Sequence, residues 1–192
     1  GDRVAIGAQA NDGAFDYAGH VRVYQYSNNS WSQLGSDIDG EAYGDYSGRS
    51  VSMNSAGDRV AIGAYANGGT GFSAGHVRVY EYSNSSWTQL GSDIDGEAAS
   101  DYSGGSVSMN SAGDRVAIGA TENDGTASDA GHVRIYEYSN SSWTQLGSDI
   151  DGEAASDGSG RSVSMNSAGD RVAIGAIWND GTGTQAGHVR VY

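Results

Sequence analysis

The sequence predicts an all-β chain, a β-propeller built from four-stranded antiparallel blades, and three observations carry that expectation. The octet Gly57-Asp58-Arg59-Val60-Ala61-Ile62-Gly63-Ala64 recurs at Gly1–Ala8, Gly113–Ala120 and Gly169–Ala176, always 56 residues apart. The 192 residues are therefore about three and a half copies of one unit. Apolar residues alternate with polar ones in short runs, and no segment shows a helical period. Glycine is abundant, at 31 residues, while proline is absent, so tight turns between short strands rely on glycine.

Within one unit, Ser50-Val51-Ser52-Met53-Asn54 alternates as a short first strand. Ser55-Ala56-Gly57-Asp58 reads as a tight turn, with Gly57 free to take positive φ. Arg59–Gly63 is a second strand with Val60 and Ile62 on one face, followed by a loop from Tyr65 to Ser73. Gly75–Tyr82 is the longest strand, alternating Val77 and Val79 against His76, Arg78 and Tyr80. Ser83–Ser86 is a turn, Trp87–Leu90 a fourth strand, and an acidic loop from Gly91 to Gly104 leads into the next copy. Such a blade packs against two neighbours, so both faces of its sheet are covered. The array divides into a partial blade at 1–49, blades at 50–105 and 106–161, and a partial blade at 162–192.

Composition limits the partners. The net charge is −14, and the ten basic residues are all Arg. That field repels nucleic acid and anionic lipid and favours metal cations. No apolar run is long enough to span a membrane. Cysteine is absent, which excludes disulfides and thiolate metal sites.

Three motifs together, Ser47–Ser52 (Ser-Gly-Arg-Ser-Val-Ser), Val60–Ala64 and Ala74–Tyr80 (Ala-Gly-His-Val-Arg-Val-Tyr), resemble the FG-GAP repeat of integrin α-subunit propellers. The resemblance covers essentially the whole chain. It implies an extracellular or cell-surface, roughly seven-bladed ring, of which this chain would be a window. The sequence departs from that family where Ser-Gly stands for Phe-Gly, and where Gln9, Tyr65, Thr121 and Ile177 replace a proline. The family's calcium loop has no counterpart in the short turn Asn54–Asp58.

The topology puts the second-to-third-strand loops and the blade-to-blade loops on one face. That face collects Asp37, Asp39, Glu41 and Asp45, repeated as Asp93, Asp95, Glu97 and Asp101 and as Asp149, Asp151, Glu153 and Asp157. These carboxylates are candidate calcium ligands; the alternative is that they set turns and cap amides. No cofactor is otherwise required. His20, His76, His132 and His188 occupy one repeat position and read as structural, since no second His in a repeat could complete a metal site. Arg22, Arg78, Arg134 and Arg190 read as ion-pair partners, and Trp31, Trp87 and Trp143 as rim packing. Trp178, in a variable loop, is a candidate contact residue. Asn28, Asn84 and Asn140 head N-glycosylation triplets. The units at Gly57 and Gly113 differ at nine of 56 positions, six of them within Tyr65–Ser73, which is where binding specificity or simple drift collects.

No catalytic constellation stands out. The expectation is a non-catalytic adhesion or structural module at the cell surface, whose partner is another protein or a second copy of itself. The alternative is a calcium-assisted glycan-binding propeller. A hydrolase would require a unique acid–base pair, and a single non-repeating pocket with a strongly perturbed carboxylate would point to one.

Overall fold

The computed structural model describes residues 1–192 and contains strands and turns only. The first sheet holds β1 (Arg3–Ala8), β2 (His20–Ser27), β3 (Ser30–Gln33) and β4 (Ile38–Asp39). The second holds β5 (Ser50–Met53), β6 (Arg59–Ala64), β7 (His76–Ser83), β8 (Ser86–Gln89) and β9 (Ile94–Asp95). The third repeats it with β10 (Ser106–Met109), β11 (Arg115–Ala120), β12 (His132–Ser139), β13 (Ser142–Gln145) and β14 (Ile150–Asp151). The fourth has β15 (Ser159–Met165), β16 (Val172–Ala176) and β17 (His188–Val191). Each complete sheet is an antiparallel meander, in the order β5-β6-β7-β8.

One piece differs from the expected blade. Ile94–Asp95, inside what reads as an acidic loop, is a two-residue strand on the free edge of β7, opposite His76 and Val77. Ile94 is only 4% exposed, so burying its side chain between blades draws the loop onto that edge.

The alternation in the octet is what joins the blades. Val60 and Ile62 of β6 face back onto Val21 and Ile38 of the preceding blade. Ala61, with Val77, Val79 and Ile94, faces forward onto Val107, Met109, Val116 and Ile118. The third junction repeats this, with Ala117 and Val133 against Val172 and Ile174. Each buried aliphatic side chain contributes about 1.5–3 kcal/mol of transfer free energy.

Polar contacts fix the register across each junction. The Ser52 hydroxyl accepts from the Met109 amide at 2.9 Å, and Ser108 does the same for Met165. Arg59 donates twice to Glu81 on its own sheet and once to the Gly113 carbonyl of the next. The indoles of Trp87 and Trp143 donate to the Leu34 and Leu90 carbonyls at 2.7 Å, so these tryptophans tie neighbouring blades together as well as covering the rim. The hairpin turn at Asn84-Ser85 has φ of 50° and 65°, both left-handed, as a two-residue type I′ loop requires. Its repeats at Asn28 and Asn140 are equally exposed.

The two end sheets present faces that are covered elsewhere. Val4 and Ile6 are 38% and 51% exposed, whereas their repeats Val60 and Ile62 are buried. Val189 and Val191 are open at the other end.

Candidate functional site

The first strands of successive blades, β5, β10 and β15, pack beside one another and form the inner side of the array. At one end of these strands two sets of loops meet. Parallel bridges join Gly19 to Ser47, Gly75 to Ser103 and Gly131 to Ser159. Further backbone bonds, such as Tyr46 N–H to the Tyr17 carbonyl and Ser100 N–H to the Phe72 carbonyl, hold each variable loop against the following blade-to-blade loop.

A cavity of about 560 Å³ opens on this face. Its wall is contributed by successive units: Gln9, Tyr46 and Arg49, Tyr65 and Ser73, Tyr102, Thr121 and Glu122, and Arg161. The residues follow β1, β6 and β11, precede β5, β7 and β10, or lie within the start of β15, so every blade supplies part of one wall. Tyr17, Tyr46, Tyr65 and Tyr102 form a row across it, with ring centroids 5.6–5.8 Å apart. Tyr46 and Tyr102 sit at φ of 53° and 54°, a left-handed conformation unusual for a bulky residue.

The cavity is not built from the repeat. Glu122 stands where other units carry Ala10, Ala66 and Trp178, and Arg49 and Arg161 stand where the intervening unit has Gly105. Glu122 is the cavity's carboxylate. Its side chain is exposed, and slight desolvation at the cavity wall, then the negative charge of Asp129, push its pKa above the ordinary value. Two guanidinium groups, one carboxylate with a raised pKa and an aromatic row thus share one concavity.

The acidic-loop residues lie elsewhere and do different jobs. Asp45 is buried and accepts from the Glu41 and Ala42 amides. Asp101 and Asp157 accept from the Ala98 and Ala154 amides and from the side chains of Asn123 and Asn179. These three aspartates shape the loop and have their oxygens turned inward. Asp37 pairs with Arg22 and accepts from Gln33, and those hydrogen bonds hold its pKa down to about 2. Glu41 and Glu97 reach the next blade and pair with Arg78 and Arg134, and Glu153 pairs with Arg190. Asp93 and Asp149 lie beside His76 and His132. The backbone carbonyls of Asp39 and Asp95 accept from Arg78 and Arg134, while Asp151 is half-buried and pairs through its backbone with His132. The four carboxylates of one loop therefore do not converge on a single ion. Trp178 is half-exposed, packed near Gly158 at the edge of this face.

No protein-family model matches the chain, and no curated protein matches it either. Solved structures do match. A protein of Bacteroides uniformis named for 6-phosphogluconolactonase activity aligns with a TM-score of 0.57 at 12% identity, over 97% of this chain and 56% of that one. The periplasmic gluconolactonase PpgL of Pseudomonas aeruginosa aligns with a TM-score of 0.59 at 14% identity, over 98% and 49%. A protein of Lactobacillus plantarum aligns at 0.53 with 11% identity, over 100% and 52%. The fold is a β-propeller. The chain spans about half the length of the structures it matches.

These neighbours correct the family resemblance. Two are named for lactonase activity and none is an integrin-type FG-GAP propeller, so the adhesion and structural reading and the expectation of no catalysis fall with the resemblance that carried them. The physical reason lies in which residues matched. The motifs at Ser47–Ser52, Val60–Ala64 and Ala74–Tyr80 are those that pack blade on blade, and propellers of different function share that requirement. No catalytic constellation stands out in the repeated residues, whereas the cavity wall includes positions where the copies differ. No helix is long and apolar enough to cross a membrane.

Proposed function

We propose that this chain forms part of a hydrolase of cyclic sugar esters, with the cavity around Glu122 as its active site. The observation that carries this reading is a cavity that holds, at positions where the repeat copies differ, two guanidinium groups and one carboxylate of raised pKa. The lactonase names of the structural neighbours support it. A general base works best with a pKa near the working pH, and the shift at Glu122 is in that direction. In its ionised form Glu122 takes a proton from water as the oxygen attacks the lactone carbonyl. The tetrahedral oxyanion forms next to a guanidinium, Arg49 or Arg161, which lowers its energy and then holds the carboxylate product. The protonated Glu122 returns its proton to the ring oxygen as the C–O bond breaks. The Tyr46–Tyr65–Tyr102 row offers an apolar face against which the sugar ring stacks. The end sheets, apolar and open, suit further blades of the same repeat, which would close the remaining side of the cavity. The periplasmic neighbour supports a location outside the cytoplasm.

A pH-stat assay with δ-gluconolactone and its 6-phospho derivative, corrected for spontaneous hydrolysis, tests this. Glu122→Gln should lower kcat by about 10²–10⁴-fold, the usual contribution of a general base. Unchanged turnover in Glu122→Gln, or a wild-type rate no faster than buffer, would remove the proposal.

A further inference from the structure

The blade junctions carry a second arrangement of chemical groups, outside the cavity and independent of the lactonase reading. His76 opens β7 and is 1% exposed. Its Nδ1 lies 3.7 Å from Asp93 Oδ2, and Glu41 arrives from the preceding blade. One ligand atom from each of the three lies within 4.8 Å of the other two. The next junction repeats the set as Glu97, His132 and Asp149. We propose that these two junctions are binding sites for a divalent transition ion such as zinc, each site bridging two blades.

The imidazoles supply an observation independent of the carboxylates. His132 is equally buried, and its Nδ1, the atom that faces Asp149 Oδ2 at 3.7 Å, has no hydrogen-bond partner; His76 repeats the position, with Nδ1 facing Asp93 Oδ2, although the unpartnered atom there is Nε2 on the other side of the ring. Buried polar atoms are ordinarily paired. A separation of 3.7 Å is too long for a hydrogen bond. It is near the roughly 3.4 Å edge of a tetrahedron whose metal–ligand bonds are about 2.1 Å.

The surrounding groups orient the ligands. Gln89 donates to Asp93 Oδ1 at 2.6 Å, and Gln145 does the same for Asp149, leaving the second oxygen of each toward the histidine. Arg78 and Arg134 hold Glu41 and Glu97 at 3.1 and 3.2 Å. Two carboxylates and one guanidinium leave a net charge of −1, enough to attract a divalent cation. One imidazole with two carboxylates suits zinc, nickel or copper. Calcium takes six to eight oxygens, more than one glutamate and one aspartate at each junction supply, and Asp45 and Asp101 of the same loops are committed to backbone amides. The first unit also gathers His20, Asp37 and Asp39, but Arg22 donates to both oxygens of Asp37 there, whereas Arg78 and Arg134 each reach one oxygen of their glutamate; in the last unit His188 faces Glu153 alone.

The test is isothermal titration of the chelator-treated full chain with zinc chloride, and separately with calcium chloride. Two zinc equivalents per chain and a rise in Tm are expected, with calcium unable to compete in excess. His76→Ala should remove one equivalent, and His76→Ala with His132→Ala should remove both. Asp93→Asn and Asp149→Asn, at less buried positions, make the same prediction should the histidine variants lose their circular-dichroism signature. Absence of zinc binding, or an unchanged stoichiometry in the folded double variants, would overturn the proposal.

Discussion

Replacing Gly63 by alanine isolates the contact that sets how closely two blades approach. A Cβ at Gly63 would sit 2.0 Å from the backbone carbonyl oxygen of Gly104 on the next blade and 2.4 Å from the Ser50 hydroxyl. Ordinary contact begins at 3.4 Å, so the blades must part by about 1.4 Å, the difference between the two distances. A gap of 0.5–1 Å already forfeits a quarter to a half of a contact's dispersion energy. The eight buried side chains at this junction each contribute about 1.5–3 kcal/mol. Losing a quarter of that is roughly 3–6 kcal/mol before relaxation, so Gly63→Ala should cost about 3 kcal/mol, the upper end for overpacking. Gly175→Ala is the internal control. Its Cβ meets the Ser162 hydroxyl at 2.5 Å, as Gly63 meets Ser50, but no backbone of a following blade. A hydroxyl can rotate away, so that variant should stay within about 1 kcal/mol of wild type. Thermal unfolding followed by the fluorescence of Trp87 and Trp143 reads both variants, at roughly 2–4 °C per kcal/mol for a chain of this size. Equal shifts for the two variants would refute the reasoning, because only the inter-blade carbonyl distinguishes them.

Two further expectations concern the cavity. A carboxyl with a raised pKa holds its proton to higher pH, so the acid limb of the kcat/KM profile for lactone hydrolysis should lie above the ordinary glutamic acid range. Asp129→Asn removes the negative charge that contributes to the shift and should move that limb to lower pH, with the plateau rate preserved; a limb that stays in place would separate Asp129 from Glu122. Tyr102→Gly should stabilise the fold by relieving a left-handed φ of 54°, worth about 1–3 kcal/mol, while raising KM for a sugar lactone. Thermal unfolding and steady-state kinetics on the same preparation check it, and a more stable variant with unchanged KM would take Tyr102 out of the site.

The scaffold was legible because it is repeated and because its rules are local. The alternation of Val60 and Ile62 with Ala61 names both faces of a blade, and the Asn-Ser pair at Asn84 names its hairpin. The strand at Ile94–Asp95 was not legible, since two residues carry no period and their pairing is decided by where Ile94 is buried. The aspartates at 45, 101 and 157 read either as ligands or as amide caps, and in the structure they cap amides three or four residues back, a choice that spacing alone does not make. The histidines read as lacking metal partners because the third donor, Glu41 or Glu97, comes from a different blade. The catalytic candidate, Glu122, sits at a position where the copies differ, so the repeat itself gives no signal for it. Of the nine differences between the units at Gly57 and Gly113, Tyr65/Thr121, Ala66/Glu122, Tyr102/Gly158 and Gly105/Arg161 all contribute to the cavity wall. Subtracting one copy from the next marks these positions, but only the structure brings them from separate loops to one wall.

That subtraction works for a physical reason. A residue such as Ile62 touches the blade behind it, and the same contact recurs at Ile118 and Ile174, so each junction selects the same side chain. Residues at the inner loop ends, such as Glu122 and Arg161, face the cavity and pack against no repeated partner, so the junctions place no constraint on them. Drift alone would favour the cheapest residue at a left-handed backbone position, and Gly158, at φ of 61°, shows that this position accepts glycine. The equivalent units keep Tyr46 and Tyr102 at that conformation, at a cost of about 1–3 kcal/mol each. Their rings line the same cavity as Glu122. Strain held at two of three equivalent positions, both on the wall of one pocket, is better accounted for by what that pocket holds than by the packing of the blades.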